Sequence, residues 1–276
     1  MRVIRKNQYC ADHKKLIFQV ILTGLLSAAI VSYILYIMNS DPENFSDDYT
    51  DAIVYRLTAD KLDLKALDSY PQKIKKVYSE NPYDVEIYVK NRHYWNIEKV
   101  PYKKYRYNKS ISQYLEATDT IKTNTELVSK IADSFITEDA DILGIVRKAL
   151  AWNAENIEYD VTLARLVWVN INSTGSAENT IKSGRGACTE YARVFIAFMR
   201  HLGIPARYVV GYYQAPDPGY HAWSEVYLKG YGWIPVETQT GKVGVPDSYV
   251  RLFVGKDLID LNFKIIEINA HYEVFD

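Results

Sequence analysis

The strongest constraint on the fold of this chain lies at 184–213, GRGACTEYARVFIAFMRHLGIPARYVVGYY. Apolar side chains recur there at steps of three and four, which is the spacing of one helix face; they are Cys188, Tyr191, Ala192, Phe195, Phe198, Met199 and Leu202. Gly203 can end this helix in a left-handed cap, and Pro205 cannot continue it. The next run, 206–213, is rich in Val and Tyr and predicts a strand. The segment therefore predicts a turn, an amphipathic helix headed by a cysteine, and a strand.

The position of Cys188 makes it a candidate nucleophile. At a helix start, backbone N–H groups without intrahelical partners and the positive end of the helix dipole favour thiolate over thiol. The neighbours Gly184, Gly186 and Ala187 keep side chains away from the sulfur, as the approach of a substrate backbone requires. An isolated cysteine in this place would be explained better as a small buried core residue. The surrounding motifs decide between the two roles.

Those motifs resemble the core of the transglutaminase-like (papain-like cysteine hydrolase) superfamily. The segment just described is followed by HAWSEVYLKGYGWIPVE at 221–237. The turn before the cysteine, the Gly-Ile-Pro-Ala-Arg run, His-Ala-Trp and Gly-Trp-x-Pro stand at spacings compatible with that family. The resemblance covers about 125–260. It implies an α+β fold, in which a central cysteine-bearing helix packs on an antiparallel sheet, and a triad of Cys, His and Asp.

The resemblance places the base of the triad at His221. A thiolate nucleophile needs a base that takes its proton and later protonates the leaving group, and histidine titrates in the required range. Of the five histidines, His221 alone starts a predicted core strand in the His-Ala-Trp context; the others are His13, His93, His201 and His271.

The family has Asp directly after Gly-Trp-x-Pro-x, and this chain departs from the family by having Glu237 there. The resemblance therefore implies that Glu237 is the third triad member, on a stem longer by one methylene. Because side chains alternate across a sheet, contact between Glu237 and His221 depends on the hairpin register. A three-residue loop at 228–230 or 229–231 puts both on one face, whereas a loop of two or four residues separates them. We expect an odd-length connection or a bulge, with the Glu237 carboxylate hydrogen-bonded to His221 and with Cys188 on the other side of that ring.

The region before the cysteine predicts two helices between Thr123 and Ile157, from its apolar spacing. The end of the second, LAWNAENIEYD at 150–160, resembles the family's Trp-x-x-x-Asn-Ile-x-Tyr ending. We interpret Trp152 in this motif as a packing residue, with a role at the oxyanion as the alternative. The following stretch, 160–183, is expected to be a long connection that could form one wall of a substrate groove.

After the central helix we predict an antiparallel sheet of three strands, at 206–213, 221–228 and 233–238. Alternating apolar residues predict another strand at 266–274. Nearer the N-terminus, a helix is expected at about 49–67, and the alternation of Val85, Ile87 and Val89 indicates a strand.

The run 16–38, LIFQVILTGLLSAAIVSYILYIM, contains no charged residue. As a helix it would span about 35 Å, enough to cross a bilayer. Basic residues stand before it and acidic residues after it, which places the N-terminus in the cytoplasm under the positive-inside rule. A cleaved signal peptide is the alternative, but the run is long for an h-region and no small-x-small site follows it. We therefore predict a single-pass protein of the cell membrane with its C-terminal part outside.

This topology divides the chain into four parts. They are a cytoplasmic tail, the transmembrane helix, an extracytoplasmic linker with an appendage, and the transglutaminase-like domain, at 1–15, 16–38, 39–122 and 123–276 in that order. The two cysteines, Cys10 and Cys188, would lie on opposite sides of the membrane, so we expect no disulfide.

Composition and motifs argue against several classes of function. The net charge of −1 gives no reason to expect a nucleic-acid partner. HExxH, Walker, GxGxxG and EF-hand motifs do not occur in the sequence, so we expect neither a metal nor a cofactor. Lysines and tyrosines are dense in 99–109. This stretch could bind an anionic wall polymer or lipid headgroups, but a solvated loop is the simpler interpretation.

The resemblance implies that Cys188 attacks an amide carbonyl, that a thioester forms, and that His221 acts as acid and base while backbone N–H groups stabilise the oxyanion. If water resolves the thioester the protein is a peptidase or amidase, and if a lysine amine does so it is a cross-linking acyltransferase. The cross-linking members of the family are larger and calcium-dependent, and this chain has no calcium motif. We therefore predict hydrolysis of peptide or isopeptide bonds in a peptide or protein substrate of the cell envelope. The second hypothesis is a catalytically silent domain that binds envelope protein or polymer, because Glu237 replaces Asp.

Overall fold

The fold is that of a computed structural model, which describes residues 49, 51–91, 97, 99–167, 174–213 and 219–259. Its helices in these ranges are α1 Leu64–Leu67, α2 Lys109–Ser112, α3 Glu126–Asp133, α4 Ile142–Asn156, α5 Val161–Val167, α6 Ala177–Ser183 and α7 Cys188–His201. Its strands are β1 Ile53–Ala59, β2 Gln72–Glu80, β3 Tyr83–Val89, β4 Glu158–Tyr159, β5 Arg185–Gly186, β6 Ala206–Tyr213, β7 Gly219–Leu228, β8 Gly232–Glu237, β9 Lys242–Val243 and β10 Tyr249–Gly255. These elements belong to one compact unit, Asn44–Asp276.

The central helix α7 begins at Cys188 and ends at His201, where the sequence predicted a helix. It packs against β6 and β7 on one side and against α3, α4 and α6 on the others. Every side chain from Cys188 to Arg200 is buried, so the polar side of this amphipathic helix lies inside the protein and not in water. Its polar residues are paired inside the core. Arg193 bonds with Asp257 at 3.0 Å, and Arg200 donates to the backbone carbonyls of Glu116, Ala206 and Lys256.

The main sheet has the strand order β10-β6-β7-β8-β9, and its neighbouring strands are antiparallel. It contains the three predicted strands, with small differences at their ends. β10 extends the sheet beyond β6, and a bulge between Arg251 and Phe253 shifts its register. Gly211 on β6 permits this approach, because an added Cβ would lie 2.2 Å from the Val250 carbonyl oxygen and 2.2 Å from the Trp223 ring. The predicted combination of helices with an antiparallel sheet is confirmed.

A second sheet, with the order β1-β3-β2, precedes the core in the chain. The strand predicted from alternating Val and Ile is β3, so that prediction is confirmed. The prediction of a helix at 49–67 is wrong. Tyr55, Leu57 and Ala59 are buried at a period of two and belong to β1, which pairs with β3. Helical structure in this stretch is confined to the short α1, which is capped by Asp63.

Arg251 on β10 connects the second sheet, β1-β3-β2, to the core. Its backbone N–H and carbonyl both hydrogen-bond with the Gln72 side chain of β2. Its guanidinium donates to backbone carbonyls beside α1 and, at 2.7 Å, to Glu225 of β7. Glu225 also accepts from Arg207 Nε at 2.6 Å. Two guanidinium groups thus neutralise one buried carboxylate, which compensates for taking its charge out of water.

The two helices predicted before the cysteine are α3 and α4, and both begin at side-chain caps, Thr125 and Asp141. The long connection predicted at 160–183 is wrong in part, because its described residues contain the helices α5 and α6. Asp160 accepts from two backbone N–H groups in the first turn of α5. α6 ends at Gly184, which has a φ of 64°. Each helix covers only two turns, too short for apolar periodicity to show it.

The stretch 99–109 is mostly irregular until α2 begins. Lys104 and Arg106 are exposed, whereas the Tyr107 ring packs edge-on against Tyr227 with 5.7 Å between ring centroids. Burial raises the pKa of Tyr107 to about 12. Exposed charged groups beside a tyrosine that packs inward fit both interpretations of this stretch.

Some predicted features lie outside the described residues. They are the transmembrane helix 16–38, the strand 266–274, and Cys10, His13, His93 and His271. Within the part of the chain that the structure describes, the helices are too short or too polar to cross a bilayer.

Candidate active site

Cys188 is the first residue of α7, a free thiol with 4 % of its surface exposed. The chain reaches it through β5 and the extended residue Ala187. Glu190, in the first turn of α7, accepts from the Ala187 N–H at 2.9 Å and from the Gly175 N–H at 2.7 Å. Gly186 makes room for Glu190, because an added Cβ would lie 2.6 Å from the Glu190 Cβ. Glu190 therefore holds the turn that presents the thiol.

β7 brings His221 to the thiol. The ring is 8 % exposed, and its Nε2 lies 2.7 Å from Glu237 Oε2. Cys188 and His221 line the same cleft, and the thiol interacts electrostatically with the ring. Since Nε2 is engaged by the carboxylate, Nδ1 is the nitrogen left to face the thiol. Thiol, imidazole and carboxylate are thus brought together, with the ring bonded to the carboxylate.

The hairpin register explains how Glu237 reaches His221. Leu228 pairs with Gly232, so β7 and β8 are joined by the three-residue loop 229–231. This odd-length loop puts Glu237 diagonally across from His221 on the same face of the sheet. The prediction of an odd-length connection is confirmed, and the loop is at 229–231, one of the two positions considered.

The Glu237 carboxylate is 2 % exposed, and both of its oxygens are bonded. Oε2 accepts from the Tyr249 hydroxyl at 2.9 Å in addition to His221. Oε1 accepts from the Gln239 backbone N–H at 3.1 Å. Donors on both oxygens restrict rotation of the carboxylate, so Oε2 stays directed at the imidazole Nε2.

The pKa values of the imidazole and the carboxylate move in opposite directions. Burial lowers the pKa of His221, but interactions with Cys188 and Glu237 raise it from 6.5 to about 10. Burial raises the pKa of Glu237, but hydrogen bonds from His221, Gln239 and Tyr249 and the charge of the imidazolium hold it below its ordinary value. Both shifts favour the charged forms of the pair, imidazolium and carboxylate.

A cleft of about 350 Å³ lies over the thiol. Besides Cys188, His221 and Glu237, its lining consists of tyrosine rings and small or neutral side chains; they are Tyr159, Ala164, Tyr213, Tyr220, Gln239, Thr240 and Tyr249. Ala164 belongs to α5, so the stretch 160–183 contributes one residue to the lining of this cleft. Among the described residues, acidic, histidine and cysteine side chains form no group of three suited to a metal ion.

Two other candidates from the sequence lie away from this cleft. Trp152 packs edge-on against Phe198 of α7, with 5.1 Å between ring centroids, and is not part of the cleft lining. The structure therefore places Trp152 in its packing role. His201 lies at the other end of α7, where its ring bonds with the Thr123 carbonyl and with Asp133.

Sequence reasoning missed Tyr249, Gln239 and Glu190. Tyr249 is on β10, two strands away from β7, and its proximity follows only from the strand order. Gln239 acts through its backbone N–H, which its identity does not reveal. Glu190 did carry a signal, since it stands three residues after Ala187, where a carboxylate can bond back to the helix start.

Comparison with known proteins finds similarity over part of the chain. Residues 129–238, which contain Cys188, His221 and Glu237, match the sequence model of the Transglutaminase-like superfamily. The solved structure of a candidate cysteine protease from Cytophaga hutchinsonii superposes with a TM-score of 0.58. The superposition covers 82 % of this chain and 89 % of that chain at 19 % identity. At this level of identity the similarity is one of fold.

Two curated proteins, both described as uncharacterized, are similar in sequence. A protein of Haemophilus influenzae is 27 % identical over 163 residues, which are 50 % of this chain and 42 % of that protein. A protein of Mycobacterium leprae is 29 % identical over 86 residues, which are 28 % of this chain and 30 % of that protein. This chain thus spans less than half the length of either relative.

Proposed function

We propose that this chain, which carries a transglutaminase-like domain, is a membrane-anchored extracytoplasmic cysteine hydrolase that cleaves peptide or isopeptide bonds. One observation carries the proposal: His221 is hydrogen-bonded to Glu237 and lines one open cleft together with Cys188. A thiol beside an imidazole that is oriented by a carboxylate is the arrangement that nucleophilic catalysis requires.

In the proposed reaction, Cys188 Sγ attacks the carbonyl carbon of the scissile amide as a thiolate. The carbonyl oxygen becomes an oxyanion, which backbone N–H groups at the start of α7 can stabilise because these groups lack intrahelical partners. The C–N bond then breaks, and the His221 imidazolium gives its proton to the departing amine. The product of this half of the reaction is a thioester on Cys188 with a neutral His221.

Water completes the cycle. Neutral His221 takes a proton from a water molecule while the water oxygen attacks the thioester carbonyl. The C–S bond breaks, the carboxylic acid product leaves, and the thiolate–imidazolium pair is restored. Glu237 keeps its charge throughout and orients the ring through Nε2.

A generic acyl donor tests thioester formation without knowledge of the natural substrate. The full-length protein mixed with p-nitrophenyl acetate should release p-nitrophenol in a burst equal in amount to the protein, because acylation by an activated ester outpaces hydrolysis of the thioester. Intact-mass and peptide mass spectrometry should then find one acetyl group on Cys188. A Cys10→Ala variant should give the same burst. Acetylation spread over surface lysines with no burst would contradict the proposal and favour the silent binding domain.

The fate of the acetyl group distinguishes hydrolysis from cross-linking. With a primary amine such as cadaverine added, a hydrolase should still release mainly acetate, whereas an acyltransferase should yield mainly acetyl-cadaverine. Gas or liquid chromatography of the two products gives their ratio. A predominance of acetyl-cadaverine would assign the protein to the cross-linking alternative.

The membrane arrangement is a separate prediction, motivated by the uncharged run 16–38 with basic residues before it and acidic residues after it. Protease added to intact cells or spheroplasts should digest residues 39–276 and leave an N-terminal tag on the chain protected. Immunoblotting against tags at both ends follows the two parts, and a cytoplasmic marker protein shows that the cells stay sealed. Digestion of the C-terminal part only after permeabilisation would show that the orientation is reversed.

A further inference from the structure

We propose that Tyr249 is a positioning residue that holds the Glu237 carboxylate against the His221 ring. This role rests on the proposed function, in which His221 is the acid and base. It adds a residue from β10, outside the matched superfamily range 129–238, to the machinery of the site.

The contact of Tyr249 with the site is direct. Its hydroxyl donates at 2.9 Å to Glu237 Oε2, the same oxygen that lies 2.7 Å from His221 Nε2. Its ring also lies edge-on to the imidazole, with 5.5 Å between ring centroids. Burial, followed by the charge and hydrogen bond of Glu237, raises the pKa of Tyr249, so the hydroxyl keeps its proton and remains a donor. Tyr249 therefore restrains both partners of the His221–Glu237 bond.

A glutamate needs such a restraint more than an aspartate does. Its stem has one more rotatable bond, so a free Glu237 carboxylate would sample orientations that do not meet His221 Nε2. The Tyr249 hydroxyl on Oε2 and the Gln239 N–H on Oε1 exclude those orientations. Small errors in the placement of catalytic groups are costly in rate. We infer that Tyr249 compensates for the longer side chain at this position.

The backbone around Tyr249 is hydrogen-bonded to residues in and just after the second sheet, β1-β3-β2. Asn91, just after β3, donates from Nδ2 to the carbonyls of Pro246 at 2.5 Å and Tyr249 at 3.2 Å. Tyr55 of β1 donates its hydroxyl to the Asp247 carbonyl at 2.8 Å. These bonds anchor the segment that leads into β10. The second sheet, β1-β3-β2, therefore helps to maintain the geometry of the site.

The test replaces Tyr249 with phenylalanine in the full-length chain, which keeps the ring and removes the hydroxyl. Because a hydrogen bond to a charged group is lost, the acetylation rate constant of Cys188 at saturating p-nitrophenyl acetate should fall about ten-fold. The ester concentration that gives half-saturation should stay unchanged, since the role is in orientation of the base. A matched control is Tyr212→Phe on the neighbouring strand β6, half-buried and outside the cleft lining, which should leave both quantities unchanged.

A double-mutant cycle separates positioning from general stability. In a Glu237→Ala background, Tyr249→Phe should cause no further loss, because the acceptor of its hydrogen bond is already gone. If His221→Ala still slows acetylation, either of two results would overturn the positioning role. One is an equal fold-loss from Tyr249→Phe in both backgrounds, and the other is no loss from Tyr249→Phe alone. If His221→Ala acetylates as fast as the unmodified protein, the proposed function itself fails and the role of Tyr249 fails with it.

Discussion

Replacing Cys188 with alanine should abolish thioester formation, and replacing His221 with alanine should slow it by about 10³- to 10⁴-fold, as expected for loss of a general acid–base. The reason is geometric, since the His221 ring is hydrogen-bonded to Glu237 and lines the same cleft as the Cys188 thiol. Stopped-flow release of p-nitrophenol measures the acylation step, and amide hydrolysis should fall in parallel. The double variant should be little worse than Cys188→Ala, because members of one catalytic unit act together.

Matched controls exist for both substitutions. Cys10→Ala removes the other cysteine of the chain, and His201→Gln changes a histidine at the far end of α7. Both should retain the acylation rate, and circular dichroism should show that all variants are folded. Independent partial losses that multiply in the double variant would contradict a single Cys188–His221 unit.

The pH dependence of the same reaction follows from the pKa of His221. Since that pKa is raised from 6.5 to about 10, the imidazolium persists through neutral and mildly alkaline pH and is lost as the pH rises through about 10. The stabilisation of the fold that comes from this ring is likewise fully present below 6.5 and is lost as the pH rises through about 10. Amide hydrolysis should therefore decline on the alkaline side near that value, because the leaving amine needs a proton. A decline centred near 6.5 would contradict the arrangement seen here.

Local patterns were sufficient to predict the parts of the site that lie close together in the sequence. The start of α7 at Cys188 follows from apolar spacing and small residues, and β6 to β8 follow from β-branched and aromatic runs. The position of Glu237 relative to His221 could be predicted because the loop 229–231 is short, so its length determines which side chains share a face.

The predictions that were wrong depend on partners that are distant in the sequence. The burial of Arg193 in the central helix required Asp257, and no periodicity within a helix reveals such a pair. In the stretch 49–67, β1 pairs with β3, a strand that comes later in the sequence. Strand pairing in β1 buries alternate side chains and overrides local preference there.

Changing Glu237 to glutamine should slow acylation of Cys188 by roughly 10²- to 10⁴-fold, by loss of charge behind the imidazole. In the unmodified protein the Glu237 carboxylate accepts hydrogen bonds from His221 Nε2, from the Tyr249 hydroxyl and from the Gln239 N–H. An amide has one acceptor atom and adds an N–H₂ group, so at least one of these donors would face another donor. The loss of negative charge should also lower the pKa of His221, which moves the alkaline decline of amide hydrolysis to lower pH.

Glu237→Asp should also be slower than the unmodified protein, although aspartate is the residue that the superfamily resemblance would lead one to expect. Shortening the stem by one methylene withdraws the carboxylate by about 1.5 Å, and a displacement of this order can cost about 10²-fold in rate. The donors Tyr249 and Gln239 are placed for the longer side chain and cannot follow it. Glu155→Gln, on the exposed side of α4, is the control and should have no effect. An aspartate variant as fast as the unmodified protein, measured with p-nitrophenyl acetate, would show that the site does not depend on the reach of Glu237.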